Sequence, residues 1–275
     1  MGAQIPPSTQ HPNLQERSSS EASYLREALS NSNHSGLMAY TNTFAKRILF
    51  DGSKCAKGVA VHTMGNQYTL SAKREVLLSA GVMRSPQMLM VSGIGPLTTL
   101  GALNIPVISE LPGVGRNMWD HVYFGPTWNV NLVTHSRLSF DAGFAAQAGE
   151  EYKVNRTDIL TAIGLWAFGF DKLPQRLRKN LRPETVHALD TQFPQDWPEM
   201  EFIPQEGWLG LQVDSMLESP HDTDEYVSLA ASTVAPFSRG NVTVNSTDKE
   251  VSPIVNQNWL MDPRDIDLVS RLPAL

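Results

Sequence analysis

The stretch Ser79–Gly95, SAGVMRSPQMLMVSGIG, decides how the chain is read. It follows the apolar run Val76-Leu77-Leu78, which predicts a short buried strand. Ala80-Gly81 is a small-residue turn. Ser85-Pro86 predicts a helix N-cap with proline at the first helical position. The helix would run from Gln87 to Ser92 and stop at Gly93 and Gly95. Strand, glycine turn, capped helix and glycine stop bring a helix N-terminus to one point, where an anionic cofactor group can sit. The same pattern also describes a helix packed on a sheet with no ligand, and spacing alone leaves both readings open.

Upstream, Leu37 to Phe50 alternates as a strand and Asp51-Gly52 turns it. Ala56 to His62 returns, Gly65-Asn66 turns again, and Gln67 to Ser71 completes a β-meander. Cys55 falls inside this strand pair and reads as structural rather than reactive. Residues 1 to 18 are polar and Pro-rich and read as a loop. Ser18-Ser19-Ser20-Glu21 then caps a short helix, Ala22 to Leu29.

Downstream, Leu97 to Leu103 predicts a short helix and Ile105 to Ile108 an edge strand. In Leu111–His121, LPGVGRNMWDH, Gly113 and Gly115 permit close backbone approach. Asn117 and Asp120 would tie this loop by local hydrogen bonds. Asp120-His121 reads as a structural pair rather than an acid–base dyad, because chain neighbours rarely face each other. Val122 to Val133 predicts a strand, Ser136 to Tyr152 helix and loop, and Leu173 to Leu181 a basic helix with a solvated face. Leu165 to Phe168 suits either a substrate pocket or a domain core. Pro194 to Pro204 and Tyr226 to Val234 read as strands. Ser238-Arg239-Gly240 would turn the second of these back into Asn241 to Asn245. Arg239 either holds that hairpin or meets a substrate anion.

Composition narrows the function. With 275 residues, 41% of them hydrophobic, the chain can bury one large or two small cores. A net charge of −6 and the lack of a Lys/Arg run argue against a nucleic-acid partner. One cysteine excludes an internal disulfide or a cysteine metal cluster, and the seven histidines show no metal-ligand spacing, so no metal is expected. No apolar run of membrane-spanning length and no secretory h-region occur. A cytoplasmic location with no membrane partner is therefore the default expectation. The sequons at Asn33, Asn155, Asn241 and Asn245 read as chance matches.

The residues themselves carry a resemblance. Gly81, Ser85, Pro86, Met88, Leu89, Ser92, Gly93, Ile94 and Gly95 fit G-x-x-x-S-P-x-[apolar]-[apolar]-x-x-S-G-I-G. This resembles the second signature of the glucose–methanol–choline (GMC) oxidoreductases, which are FAD-dependent. Val82 departs from the small residue usual there, which predicts crowding at the turn. RSSSEASYLREAL (17–29) resembles a segment of fungal members, and PGVGRNMWDH (112–121) resembles a family motif that lies near the flavin. Ser238–Thr243, Pro253–Asn256 and Trp259–Asp265 also match, so the resemblance covers Arg17 to Asp267.

The resemblance implies an α/β fold (α+β overall). Residues 1–121 would be a partial, doubly wound FAD-binding domain with its β-meander. Residues 122–260 would be an antiparallel-sheet substrate domain, and 261–275 the start of a C-terminal segment. It implies FAD as cofactor, contacted by Ala45 on the adenine side and by Gly81, Ser85, Gly113, Gly115 and Asn117. It further implies oxidation of a CH–OH group on a small alcohol or polyketide-type substrate in fungal secondary metabolism. The branch resembled is that of aryl-alcohol dehydrogenases and versicolorin-B-synthase-like proteins. A redox-neutral cyclase and a non-catalytic remnant stay open. No G-x-G-x-x-G occurs, and no histidine matches the family's catalytic segment. The chain is thus expected to be an internal piece with weak or no FAD binding, and no residue is assigned as catalytic.

Overall fold

The computed structural model describes residues 2–4, 9–30, 36–162, 164, 167–210, 220 and 222–272. Asn33, Leu165, Trp166 and Pro273 lie outside the described residues. The chain forms two compact units, both discontinuous in sequence: residues 38–120 with 238–261, and residues 1–37 with 121–237 and 262–275. Among the described residues no helix is long and apolar enough to cross a membrane.

The unit formed by 38–120 and 238–261 opens with the meander. Strands β2 (Phe44–Phe50), β3 (Ala56–Thr63) and β4 (Asn66–Ser71) pair antiparallel in that order. The second turn is Met64-Gly65, one residue earlier than expected. Both residues have positive φ (48° and 86°), the type I′ geometry that matches strand twist. The Asp51 carboxylate holds the first loop by accepting from the N–H groups of Ser53 (2.9 Å) and Cys55 (3.0 Å). These bonds, led by that from the Ser53 hydroxyl, keep the Asp51 carboxyl well below the usual carboxylate range. Cys55 is exposed in this loop rather than enclosed by the strand pair.

Val76 to Leu78 is not a strand, and Leu77 is 81% exposed. A strand needs a neighbour to take its N–H and C=O groups, and none of the described residues supplies one here. Helix α2 (Gly81–Val91) has its N-cap at Ala80, five residues before the serine–proline pair predicts, so Ser85 and Pro86 lie inside it. Pro86 has no N–H to give the Val82 carbonyl. The Ser85 hydroxyl instead accepts from the Ala80 N–H (3.1 Å). Val82 is 68% exposed and crowds nothing. The helix ends at Val91, with Ser92 as its C-cap and Gly93 left-handed at φ 89°. The buried Ser92 hydroxyl donates to the Met88 carbonyl (2.6 Å) and accepts from the Ile48 N–H (2.9 Å), joining α2 to β2.

Strands β5 (Ile94–Gly95) and β6 (Ser109–Glu110) form the parallel pair of this unit. No doubly wound sheet is present among the described residues. The edge strand expected over 105–108 is displaced to 109–110, since Pro106 has no N–H for a ladder. Helix α3 (Leu97–Ala102) packs between, and Met90, Val91, Leu100, Ile105 and Val244 form the buried core. Strand β12 (Asn241–Thr243) pairs with β13 (Ile254–Asn256) rather than with the strand before it. Ser238-Arg239-Gly240 is therefore no hairpin. The N–H and C=O of Gly240 are taken by Met118, at 2.8 and 3.0 Å.

The other unit is built on a six-stranded sheet, strictly antiparallel. Its order is β1 (Gly2–Gln4), β9 (Phe168–Asp171), β10 (Met200–Glu206), β11 (Tyr226–Thr233) and β7 (Tyr123–Phe124), with β8 (Thr127–Asn129) also on β11. The single strand expected over 122–133 is broken at Gly125-Pro126, where a Cβ on Gly125 would overlap the Leu229 carbonyl oxygen. Residues Glu21–Leu25 lead into α1 (Arg26–Ser30), with the Ser19 hydroxyl accepting from the Ala22 N–H (3.1 Å). Helices α4 (Arg137–Phe140), α5 (Ala142–Asn155), α6 (Gln175–Arg178), α7 (Pro183–Gln192) and α8 (Pro263–Val269) complete the unit. Asp141 and Asp262 cap α5 and α8 by accepting from Phe144 and Arg264 N–H groups, both at 2.9 Å.

The basic segment 173–181 is a solvated face only in part: Arg176 and Lys179 are exposed, and Arg178 is not. Arg178 is buried and pairs with Glu199 and Asp190, while Glu199 also accepts from the Leu173 N–H (3.0 Å). Two carboxylates satisfy the buried guanidinium, which a charge count along the sequence cannot reveal.

Candidate cofactor cleft

Val82, Ser85, Pro86 and Leu89 on α2 form one wall of a cleft of about 330 Å³. The facing wall is the loop Val114–Trp119, and Val242 on β12 closes the floor. Gly115 explains why the loop sits there. It is left-handed (φ 74°), and a Cβ on it would overlap the Val242 carbonyl oxygen. Its own carbonyl accepts from the Val242 N–H at 2.7 Å. Together with the Met118–Gly240 bridge, this fixes the loop to β12 by backbone alone. The path in is also local: the N–H of Leu111 donates to the Gly95 carbonyl (3.1 Å), and that of Arg116 to Gly113 (3.0 Å).

Asn117 follows in a left-handed conformation (φ 59°) that asparagine tolerates. Its side chain makes no hydrogen bond among the described residues, contrary to the expected local tie. Asp120 reaches far along the chain, accepting from the Trp259 indole N–H at 3.2 Å. Trp119 lies under the Arg239 guanidinium (4.6 Å to the ring centre), and Arg239 donates to the Ser238 carbonyl (2.9 Å). Arg239 therefore acts on protein groups. Burial pushes the Glu201 carboxyl up, and His121 partly offsets this.

Of the six residues expected at a cofactor, Ser85, Gly115 and Asn117 line this one cleft. Gly81 stands beside it at the start of α2, at φ 83° with open space over it. Gly113 is not in the lining, and a Cβ there would meet nothing. Ala45 is on β2 opposite Val61, outside the cleft. Sequence reasoning missed Arg116, Trp119 and Val242. The first two occupy the unspecified positions of a motif, and Val242 is brought in only by tertiary packing.

Unit 121–237 contains a larger cavity, about 810 Å³, lined by Phe124, Trp128, Phe202, Leu229, Leu272 and Arg176 among others. No histidine lines either cavity among the described residues, and no cluster of His, Cys, Asp or Glu there could hold a metal ion.

Comparison with known proteins agrees with the motifs. The family model described as GMC oxidoreductase matches residues 8–123. Patulin synthase of Aspergillus clavatus is 43% identical over 92% of this chain and 40% of its own length. Versicolorin B synthase of Aspergillus parasiticus is 42% identical over 94% of this chain and 38% of its own. The chain thus spans about two fifths of these curated relatives. Among solved structures, Aspergillus oryzae formate oxidase superposes with a TM-score of 0.83 at 26% identity. That match covers 97% of this chain and 46% of the oxidase.

Proposed function

The chain belongs to the GMC oxidoreductase family, and from that premise we propose that it contributes to an FAD-dependent enzyme acting on a CH–OH carbon of a polyketide-type small molecule in fungal secondary metabolism. In this reading the unit 38–120 with 238–261 faces the flavin. The unit carrying the six-stranded sheet faces the substrate. The observation that carries it is the Gly115–Val242 contact, which sets Arg116 to Trp119 against α2 within two motifs of the family.

The residues present fit FAD in part. Helix α2 begins at Gly81 with no side-chain cap and open space above, so its first N–H groups lack partners. A cleft of about 330 Å³ is near the lower end of small-molecule sites, about 300–1,000 Å³, and takes one end of a dinucleotide. The N–H groups of Gly81 to Met83, the Asn117 amide and the Ser85 hydroxyl would hold that end. Leu89 and Val114 would keep water from it. When bound, FAD supplies the acceptor for hydride from the alcohol carbon. The proton of the substrate hydroxyl is assigned to no residue of this chain, because no histidine lines either cavity among the described residues. Ring closure without net redox change is the second reading, since it needs no acceptor for hydride.

The test is FAD titration of the purified 275-residue chain, followed by flavin fluorescence and visible absorbance. Weak but saturable binding is expected, weakened further by at least about tenfold in Asn117→Gly, which removes the amide at an exposed position and keeps the left-handed backbone. Folded, soluble chain that takes up no FAD would refute the flavin-side assignment and leave a non-catalytic relative.

A further inference from the structure

A second, smaller cavity lies in the same unit and shares Val114, Arg116 and Val242 with the cleft. It measures about 130 Å³ and is lined by Pro96, Thr99, Arg116 and Asn241 to Thr243, with Met90 and Val114 at its base. Its chemistry is one-sided. Arg116 offers a guanidinium, Asn241 an amide, and Thr99 and Thr243 hydroxyls; no carboxylate lines the space. None of these four side chains makes a hydrogen bond or ion pair with any described residue. Thr99, Asn241 and Thr243 are half-buried and Arg116 is exposed, so the pocket opens to solvent on the guanidinium side.

The backbone holds these groups together. Asn241 and Thr243 are two apart on β12 and so share a face. Val242 between them takes Gly115 on its backbone, which fixes the position of the next residue, Arg116. Size then limits the ligand. Water occupies about 30 Å³ per molecule, so the cavity has room for about four waters. It is too small for a drug-sized molecule, which needs about 300 Å³ or more. A positive, donor-rich space of this size suits one oxyanion, and an arginine fork matches two of its oxygens.

We propose that this pocket is an oxyanion site that takes a single carboxylate or phosphate group, with Arg116 as its principal contact. It requires no flavin, although Val114, Arg116 and Val242 line both this pocket and the cleft.

The experiment uses the whole chain without FAD, at low ionic strength in a chloride buffer. Inorganic phosphate and acetate are titrated separately, with melting temperature and the amide resonances of Thr99 and Thr243 as readouts. A saturable response to one of them is expected, phosphate marking a tetrahedral ligand and acetate a planar one. Arg116→Gln should weaken it at least about tenfold, and Asn241→Asp, which places a carboxylate in the lining, should abolish it. Both positions lack protein partners, so both variants should melt as the parent does in chloride alone. An unsaturable response, no response to either anion, or equal responses in parent and both variants would overturn the assignment.

Discussion

In residues 38–120 and 238–261 the chain closes backbone against backbone, whereas the unit with the six-stranded sheet is tied by buried charges. On the first side, Cβ atoms on Gly58, Gly93, Gly115 and Gly240 would each overlap a carbonyl oxygen, against Gly125 alone among the described residues of the other, so four glycines set how closely the segments pack. On the second, Glu199 receives Arg178, Asp265 (1% exposed) accepts from the Phe237 N–H at 2.7 Å, and Asp267 accepts from the Arg182 N–H at 2.8 Å. Backbone closure tolerates almost no added atom. Charge closure tolerates volume changes better but not the loss of one partner.

The largest effect should come from breaking the charged side. Glu199→Ala leaves the Arg178 guanidinium buried with only Asp190, and should cost about 3–5 kcal/mol in urea unfolding. The exposed pair Arg26–Glu21 is the control: Glu21→Ala should cost under about 1 kcal/mol. Equal losses would mean that burial of the charge is irrelevant. On the backbone side, Gly115→Ala should cost about 1–3 kcal/mol from the left-handed conformation alone, and more from the overlap with Val242. Gly113→Ala, two residues away in open space, should stay within about 0.5 kcal/mol. Similar midpoints for the two variants would contradict the close approach.

The smallest effect sharpens the charged side by pH. The hydrogen bond from the Arg264 side chain, opposed by burial, holds the Asp262 carboxyl below its usual range. Its folded pKa is therefore below the unfolded value, about 3.9. The stabilisation is fully present above that value and is lost as pH falls through the folded pKa. Asp262→Asn keeps an acceptor for the Arg264 N–H but removes the charge. Between pH 5 and pH 2 the parent should lose more melting temperature than the variant, by the equivalent of under about 1 kcal/mol.

The same division governs what was legible in the sequence. The meander, α3, β11 and the family motifs could be read, because each is written in local pattern or in fixed glycines. Gly115 was read correctly as a point of close approach, although its partner Val242 was not. Ser85-Pro86 misled, because a helix tolerates proline beyond its first turn when an earlier carbonyl is left to solvent. Val76 to Leu78 misled because a strand is a property of its neighbours as much as of its own residues. Arg178 misled because a basic run looks solvated until Glu199 and Asp190 arrive from elsewhere in the chain. Arg116 and Trp119 stood in plain view, but their positions in the motif carry no fixed residue type.

Cys55 has one more consequence. It is exposed at the β2–β3 loop, and within these 275 residues it has no second thiol to meet. Oxidative cross-linking within this stretch can therefore join it only to its own counterpart on another copy. Such a link is isologous, with a two-fold axis through the sulfur–sulfur bond. A single maleimide probe would likewise report from one known point of the meander, without competition from any other site in the sequence.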